Sequence, residues 1–221
     1  MSLPALSPRP RHRDYGHDEL IADAVVHAAA IIAGAIAFSV LFQKIAMHGR
    51  PIDGAAMAIY AAGFFALFGF SCAYNMAPPS PAKWLLRRFD HASIFVMIAG
   101  TYTALLSQAG SSVWTIGLTL VVWAGALLGV ALKVGMPGRY EKIALVAYLA
   151  LGWSAVVAFK PIFEALPIAT SALIVIGGAL YSIGVLFYLW KKLKFQNVVW
   201  HAFVTAAAGC HFAGVLQAVG R

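Results

Sequence analysis

The run IADAVVHAAAIIAGAIAFSVLFQ, residues 21–43, carries one carboxylate, Asp23, and one imidazole, His27, in an otherwise apolar or small-residue stretch broken only by Ser39 and Gln43. At ~1.5 Å per residue, a helix of this length matches the ~30 Å hydrocarbon thickness of a bilayer. The run is continuously apolar, whereas a barrel strand alternates over ~10 residues, so it reads as a membrane-spanning helix. Moving outward, similar runs recur at residues 55–77, 90–108, 113–134, 143–159, 167–190 and 198–219. Polar or Pro/Gly-bearing breaks such as PPSPAK (78–83) and GMPGRYEK (135–142) separate them. The expected fold is all-α: a polytopic membrane protein of seven transmembrane helices, in which residues 1–20 form a cytoplasmic arm and 21–221 one membrane domain.

Composition agrees with that reading. Of 221 residues, 62% are hydrophobic and 11% charged, and the mean hydropathy is +0.82. A soluble domain has ~45–50% apolar and ~25% charged residues, so that class is excluded. The fifth run is the shortest and is expected to end at Lys160-Pro161. Residues 1–20 hold arginines among prolines without a short apolar core and cleavage site, so a removed signal peptide is not expected. Cys72 and Cys210 lie in apolar runs and read as packing residues.

The net charge of +8 could suggest nucleic acid, but its distribution points to membrane orientation. With the N-terminus inside, the inner segments hold twelve basic residues: Arg9, Arg11, Arg13, Lys83, Arg87, Arg88, Lys133, Arg139, Lys142, Lys191, Lys192 and Lys194. The outer segments hold four: Lys44, Arg50, Lys160 and Arg221. That bias predicts a cytoplasmic N-terminus and an external C-terminus. Membrane lipids, not nucleic acid, are the expected partners, and the oligomeric state is left open. Gly125-Ala-Leu-Leu-Gly129 matches a small-residue helix-dimer pattern, a weak signal among many membrane glycines.

Ionisable groups inside a bilayer are costly and mark functional sites. Here they share one side. Glu19, Asp23 and His27 open the first span, Ser71 and Asn75 close the second, Asp90 and His91 open the third, and Asn197 and His201 open the seventh. Glu19/Asp23/His27, Ser71/Asn75 and Asn197/His201 are each spaced by four, so each set lies on one helix face. The expected result is a polar cavity near the cytoplasmic leaflet, suited to metal binding, proton transfer or headgroup recognition; interhelical hydrogen bonding is the simpler reading. His211, ~15 Å beyond His201 along a helix, reads as a buried structural histidine. A retinal protein needs a lysine in the last span, which has none, and the histidines are too few and too near one surface for membrane haem.

Four stretches together resemble the hemolysin III family, the bacterial branch of the progestin and adipoQ receptor family, in a superfamily shared with alkaline ceramidases. They are Glu19-Leu-Ile-Ala-Asp-Ala-Val-Val-His27, Phe70-Ser-Cys-Ala-Tyr-Asn75, RRFDHASIFVMIAGTYT (87–103), and Trp200-His-Ala-Phe-Val followed by His211-Phe212. The resemblance implies seven helices in a bacterial inner membrane, an inside N-terminus and metal-dependent hydrolysis of lipid amides. It also implies a zinc held by a histidine four residues after the second-span serine and by HxxxH in the seventh span, with an aspartate of the third span positioning water. Ser71, Asp90 and His201 match those positions, and Asn75 and Asn197 stand where the other two imidazoles are implied. Zinc prefers His, Cys and carboxylate ligands over neutral amides, so the implied site is expected to be degenerate and metal-free. His27 and His91 are the candidate replacements, although His91 points ~100° away from Asp90 around its helix. Three functions follow: a non-catalytic membrane protein with a lipid-binding cavity, a hydrolase using Asp90 and Ser71 with zinc on His201 and Asp90, and a cytolytic pore.

Overall fold

The computed structural model describes residues 15–220; Arg9, Arg11, Arg13 and Arg221, the Lys160 side chain and most of the arm expected at 1–20 lie outside the described residues. Every regular element among the described residues is helical: α1 (His17–His48), α2 (Pro51–Met76), α3 (Pro81–Gln108), α4 (Val113–Gly135), α5 (Glu141–Gly152), a 3₁₀ segment (Ser154–Ala158), α6 (Phe159–Ala165), α7 (Ile168–Leu189) and α8 (Gln196–Ala218). Six of these, α1 to α4, α7 and α8, are long and apolar enough to cross a bilayer. The protein is a multi-pass membrane protein.

Helix starts differ from the apolar runs because capping, not hydropathy, sets them. Gly16 N donates to Glu19 Oε2 at 3.0 Å, so α1 begins at His17 and takes in the last residues of the expected arm. Ser80 Oγ accepts from Lys83 N at 3.1 Å with Pro81 in the first turn. Consequently α3 starts nine residues before Asp90, and Asp90 and His91 lie inside the helix rather than opening it. The extra turns are amphipathic: Arg87 stacks on Trp84 at 5.2 Å, and Arg88 Nη1 reaches the Val134 carbonyl at 3.4 Å.

The expected single helix over 143–159 is broken. α5 stops at Gly152, and the chain continues through the 3₁₀ segment into α6. Tyr102 of α3 holds the break, its hydroxyl donating to Gly152 O (2.8 Å) and accepting from Ala155 N (2.9 Å). Irregular backbone survives at membrane depth only where such partners re-satisfy it.

Small residues let the helices approach closely. A Cβ on Gly100 would sit 3.1 Å from Ile59 O, and one on Gly63 would sit 3.0 Å from Val96 O, which locks α2 to α3. α7 and α8 pack similarly through Gly177, Gly184 and Gly214, and Thr170 Oγ1 donates to Gly214 O at 3.0 Å. Gly125 and Gly129 receive Leu151 and Phe95 of the same chain, so the suspected dimer pattern is filled internally. The opposite faces are inside out for water: Ile21, Val25, Ile32, Ile36 and Val40 of α1 are exposed, as are Leu120, Leu127 and Leu128 of α4. Lipid is the solvent such faces require.

Candidate functional site

α1 buries a single stripe that changes character along its length. Glu19, Asp23 and His27 are followed on the same face by Ala30, Gly34, Phe38 and Leu41. The apolar half packs against Tyr60, Phe64 and Phe212, and the polar half meets the start of α8 and the end of α2. His201 Nδ1 lies 2.6 Å from Asp23 Oδ1. The His27 ring stands edge-on to His201, with centroids 4.4 Å apart, and Ser71 Oγ is 3.3 Å from His201 Nε2. Asp23, His27 and His201 are all buried, where an unpaired charge would cost several kcal/mol.

The asparagines answer one another. Asn75 Nδ2 donates to Ser71 O at 2.8 Å, and Asn197 Nδ2 donates to Asn75 Oδ1 at 3.1 Å and toward Asp23 Oδ2 at 3.4 Å. Their amides thus join α2 to α8 with a hydrogen bond, a role that interhelical Asn commonly takes. An amide oxygen occupied in this way is a poor zinc ligand. The positions that the resemblance marks for zinc therefore do not fit it. A different set does: one potential ligand atom from each of Asp23, His27 and His201 falls within 4.8 Å of the other two. Asp90 is not in this group. It lies against Ser71, within electrostatic reach of His201 and Arg87.

These residues border a cavity of about 1040 Å³. Ser71, Asn75, Asp90, His91, Asn197 and His201 line it together with His27. Asp23 sits behind His201. Glu19, expected on the cavity wall, is not among its lining residues. Its carboxylate caps α1 and accepts from Phe195 N at 2.8 Å, pinning the left-handed residue before α8. His91 turns to a second cluster, with Nδ1 3.7 Å from Glu141 Oε2. There Glu141 also pairs with Arg87 (3.2 Å) and the buried Lys133 (3.1 Å). Glu141 is not among the residues expected at the site, although it is the one carboxylate in the basic stretch 133–142. Aromatic side chains also line the cavity: Tyr102, Tyr148, Trp153, Tyr181 and Trp200. His211 closes it, with Nε2–H donating to Ile174 O at 3.1 Å.

The haemolysin-III related family model matches residues 17–212, nearly all of the helical bundle. The chain belongs to the haemolysin III family. It is 34% identical over 202 residues to the hemolysin-3 homolog of Bacillus subtilis (strain 168), covering 90% of this chain and 93% of that protein. It is 33% identical over 200 residues to hemolysin-3 of Bacillus cereus, covering 90% of each. A more distant similarity, 25% over 171 residues, links it to the human monocyte to macrophage differentiation factor, covering 74% of this chain and 70% of that protein. The polar stripe of α1, the Ser71–Asn75 turn, the α3 segment and His201 all lie within the matched residues.

Proposed function

We propose that the protein is a lipid-binding member of its family, one membrane domain crossing the bilayer seven times, with the start of α1 on the cytoplasmic side. The broken α5–3₁₀–α6 segment is the remaining crossing. Contacts across the bundle support this arrangement. Glu19 with Phe195, Arg87 with Glu141 and Arg88 with Val134 gather the basic segments at one end. Lys44 with Leu216 and Arg50 with Ser107 lie at the other. The positive-inside rule then assigns the end bearing Lys83, Arg87, Arg88 and Lys133 to the cytoplasm.

The observation that carries the ligand reading is the mixed lining of the cavity: Asp90, Asn75, Asn197 and His201 border it together with Tyr102, Trp153, Tyr181 and Val185. A volume near 1040 Å³ is at the upper end for small-molecule sites. It suits an amphipathic lipid-like molecule whose polar end hydrogen-bonds to the α1–α2–α8 cluster and whose apolar part lies against the aromatic lining residues. Val185 of α7 lines the cavity, so Val185→Trp places a bulky ring in its volume. Purified wild-type protein is expected to quench or shift a fluorescent fatty-acyl probe saturably, and the variant to lose most of that signal. Equal binding by both proteins would overturn the lipid reading.

The donor set of Asp23, His27 and His201 favours a second reading, metal-dependent hydrolysis of a lipid amide. An ion held by those residues would polarise a carbonyl or activate a water. This chain would itself supply Ser71 and Asp90 at the cavity wall to orient the polar end of the substrate. Release of fatty acid from a ceramide by the protein as purified would move the assignment to the hydrolase. Dye leakage from protein-free liposomes on adding the protein would move it to a cytolytic pore, the activity in the names of the bacterial relatives.

A further inference from the structure

Ser71, His201 and Asp23 are joined in series across three helices, α2, α8 and α1. Ser71 Oγ is 3.3 Å from His201 Nε2, and His201 Nδ1 is 2.6 Å from Asp23 Oδ1. A carboxylate oxygen accepts, so Nδ1 carries the proton and the Nε2 lone pair faces the serine hydroxyl. Asp23 is buried, Asn197 braces its other oxygen at 3.4 Å, and the His27 ring flanks His201 edge-on at 4.4 Å. Hydroxyl, imidazole and buried carboxylate, in this order and on these two ring nitrogens, make the arrangement that activates a serine nucleophile. Ser71 and His201 line the cavity, so the reacting pair faces the space a substrate would fill.

The two asparagines supply the remaining part. Asn197 Nδ2 holds Asn75 Oδ1 at 3.1 Å, which turns the Asn75 amide nitrogen toward Ser71. That nitrogen lies 2.8 Å from the Ser71 carbonyl oxygen and 3.4 Å from Oγ. One of its hydrogens serves the carbonyl, and the other is left beside the hydroxyl, where an oxyanion would form.

We propose that Ser71 is the nucleophile of a metal-independent acyl transfer from a carboxylic ester, with His201 as general base, Asp23 as positioning residue and Asn75 as oxyanion donor. Ser71 Oγ attacks the acyl carbon, and its proton passes to His201 Nε2. The carbon–oxygen bond to the leaving alcohol then breaks, the alcohol takes that proton, and the acyl group stays on Ser71 as an ester. Water attacks this ester and gives a proton to His201; the acid leaves, and the proton returns to Ser71 Oγ. Ester and water thus become acid and alcohol. One side-chain donor is fewer than the pair of N–H groups usual at an oxyanion, which favours an ester carbonyl over a less reactive amide. An ion on His201 is incompatible with this chemistry, because Nε2 cannot hold a metal and receive the serine proton at once. The proposal rests on the lipid-binding reading only for the length of the acyl chain.

The test is labelling of the full-length protein in detergent by a fluorescent fluorophosphonate, with the modified peptide mapped, together with turnover of a short-chain nitrophenyl ester. Both are run with and without EDTA. The wild type is expected to be labelled at Ser71 and to turn over the ester whether or not EDTA is present. Ser71→Ala should lose both signals, and His201→Ala should slow both at least ~100-fold, the lower range for a general base. Asp23→Asn should lower kcat at least ~100-fold with KM little changed, as expected of a group that acts on the transition state and not on binding. Ser71→Cys, nearly isosteric, guards against misfolding: the folded variant should take the acyl group as a thioester at residue 71. The proposal is overturned by a wild type that is not labelled at Ser71, by loss of both signals in EDTA, or by a folded Ser71→Cys protein that forms no thioester. Asp90 also lies against Ser71, so labelling that is lost in Asp90→Asn and kept in His201→Ala would make Asp90 the base and overturn it too. Labelling at Ser71 in a protein that fails to bind the fatty-acyl probe would retire the lipid-binding reading and uphold this one.

Discussion

Where α1 ends and α2 begins, Asp53 is 1% exposed and fully engaged. It accepts from Arg50 N and Arg50 Nη2, each at 2.7 Å, and from Gln108 Nε2 at 2.8 Å. Arg50 continues to Ser107 O at 2.6 Å, and Lys44 Nζ reaches Leu216 O at 2.8 Å. At the other end of the bundle, His27 is equally buried, but one of its two ring nitrogens is unsatisfied, and the surrounding groups border a large cavity. Both clusters bury a carboxylate; among the described residues only the Asp53 cluster leaves no buried side-chain atom without a partner. The difference separates scaffold from site better than residue type does, because Asp, Asn and His suit either role. A closed polar network stabilises the helix contact around it, whereas an open one tolerates a local penalty for the sake of something it binds.

The comparison can be broken in several ways. The largest expected effect is all-or-none and concerns which compartment each end faces. A reporter inserted after Gly110, in the turn beside the Asp53 cluster, should be periplasmic, and one near Lys192, beside the start of α8, cytoplasmic. Activity of both reporters on the same side would dismantle the seven-crossing arrangement.

Next comes stability. Asp53→Ala leaves Arg50 and Gln108 without their shared acceptor and should cost about 3 kcal/mol, read as a lower midpoint of thermal unfolding in detergent. Tyr102→Phe removes the hydroxyl that serves Gly152 O and Ala155 N. About 1–3 kcal/mol should be lost, with faster proteolysis at the α5–α6 break as the sensitive readout. His27→Leu should have the smallest effect, within about 1 kcal/mol of wild type, because removing the orphan nitrogen offsets the loss of the Nδ1 hydrogen bond. A loss from His27→Leu as large as that from Asp53→Ala would show that both clusters are scaffold.

Much of this molecule is legible from its sequence because apolar runs near 20 residues have few structural alternatives, and because the i, i+4 spacing of Asp23 with His27 and of Asn197 with His201 fixes helix faces directly. What escapes is whatever depends on a partner helix. The break after Gly152 is supported by a tyrosine fifty residues away. The early start of α3 depends on a Ser80 cap in a stretch too polar to read as a span. Grouping Asp23 and His27 with His201 requires α1 to pack beside α8, and no pattern within either helix says so. Asp53 and Glu141 each sit at the edge of a run, where a carboxylate ordinarily faces water; here each is drawn in by a cation, Arg50 or Lys133.

The central claim is that the end of the bundle bearing Asp23, His27 and His201 is a binding site and not a second scaffold. Native mass spectrometry of the wild-type protein and Val185→Trp, released from the same detergent, addresses it directly. The account predicts that the wild type keeps one tightly held lipid-mass adduct at collision energies that strip the annular lipids, and that the variant loses it. Wild-type protein that emerges bare, or a variant that keeps the same adduct, would contradict it.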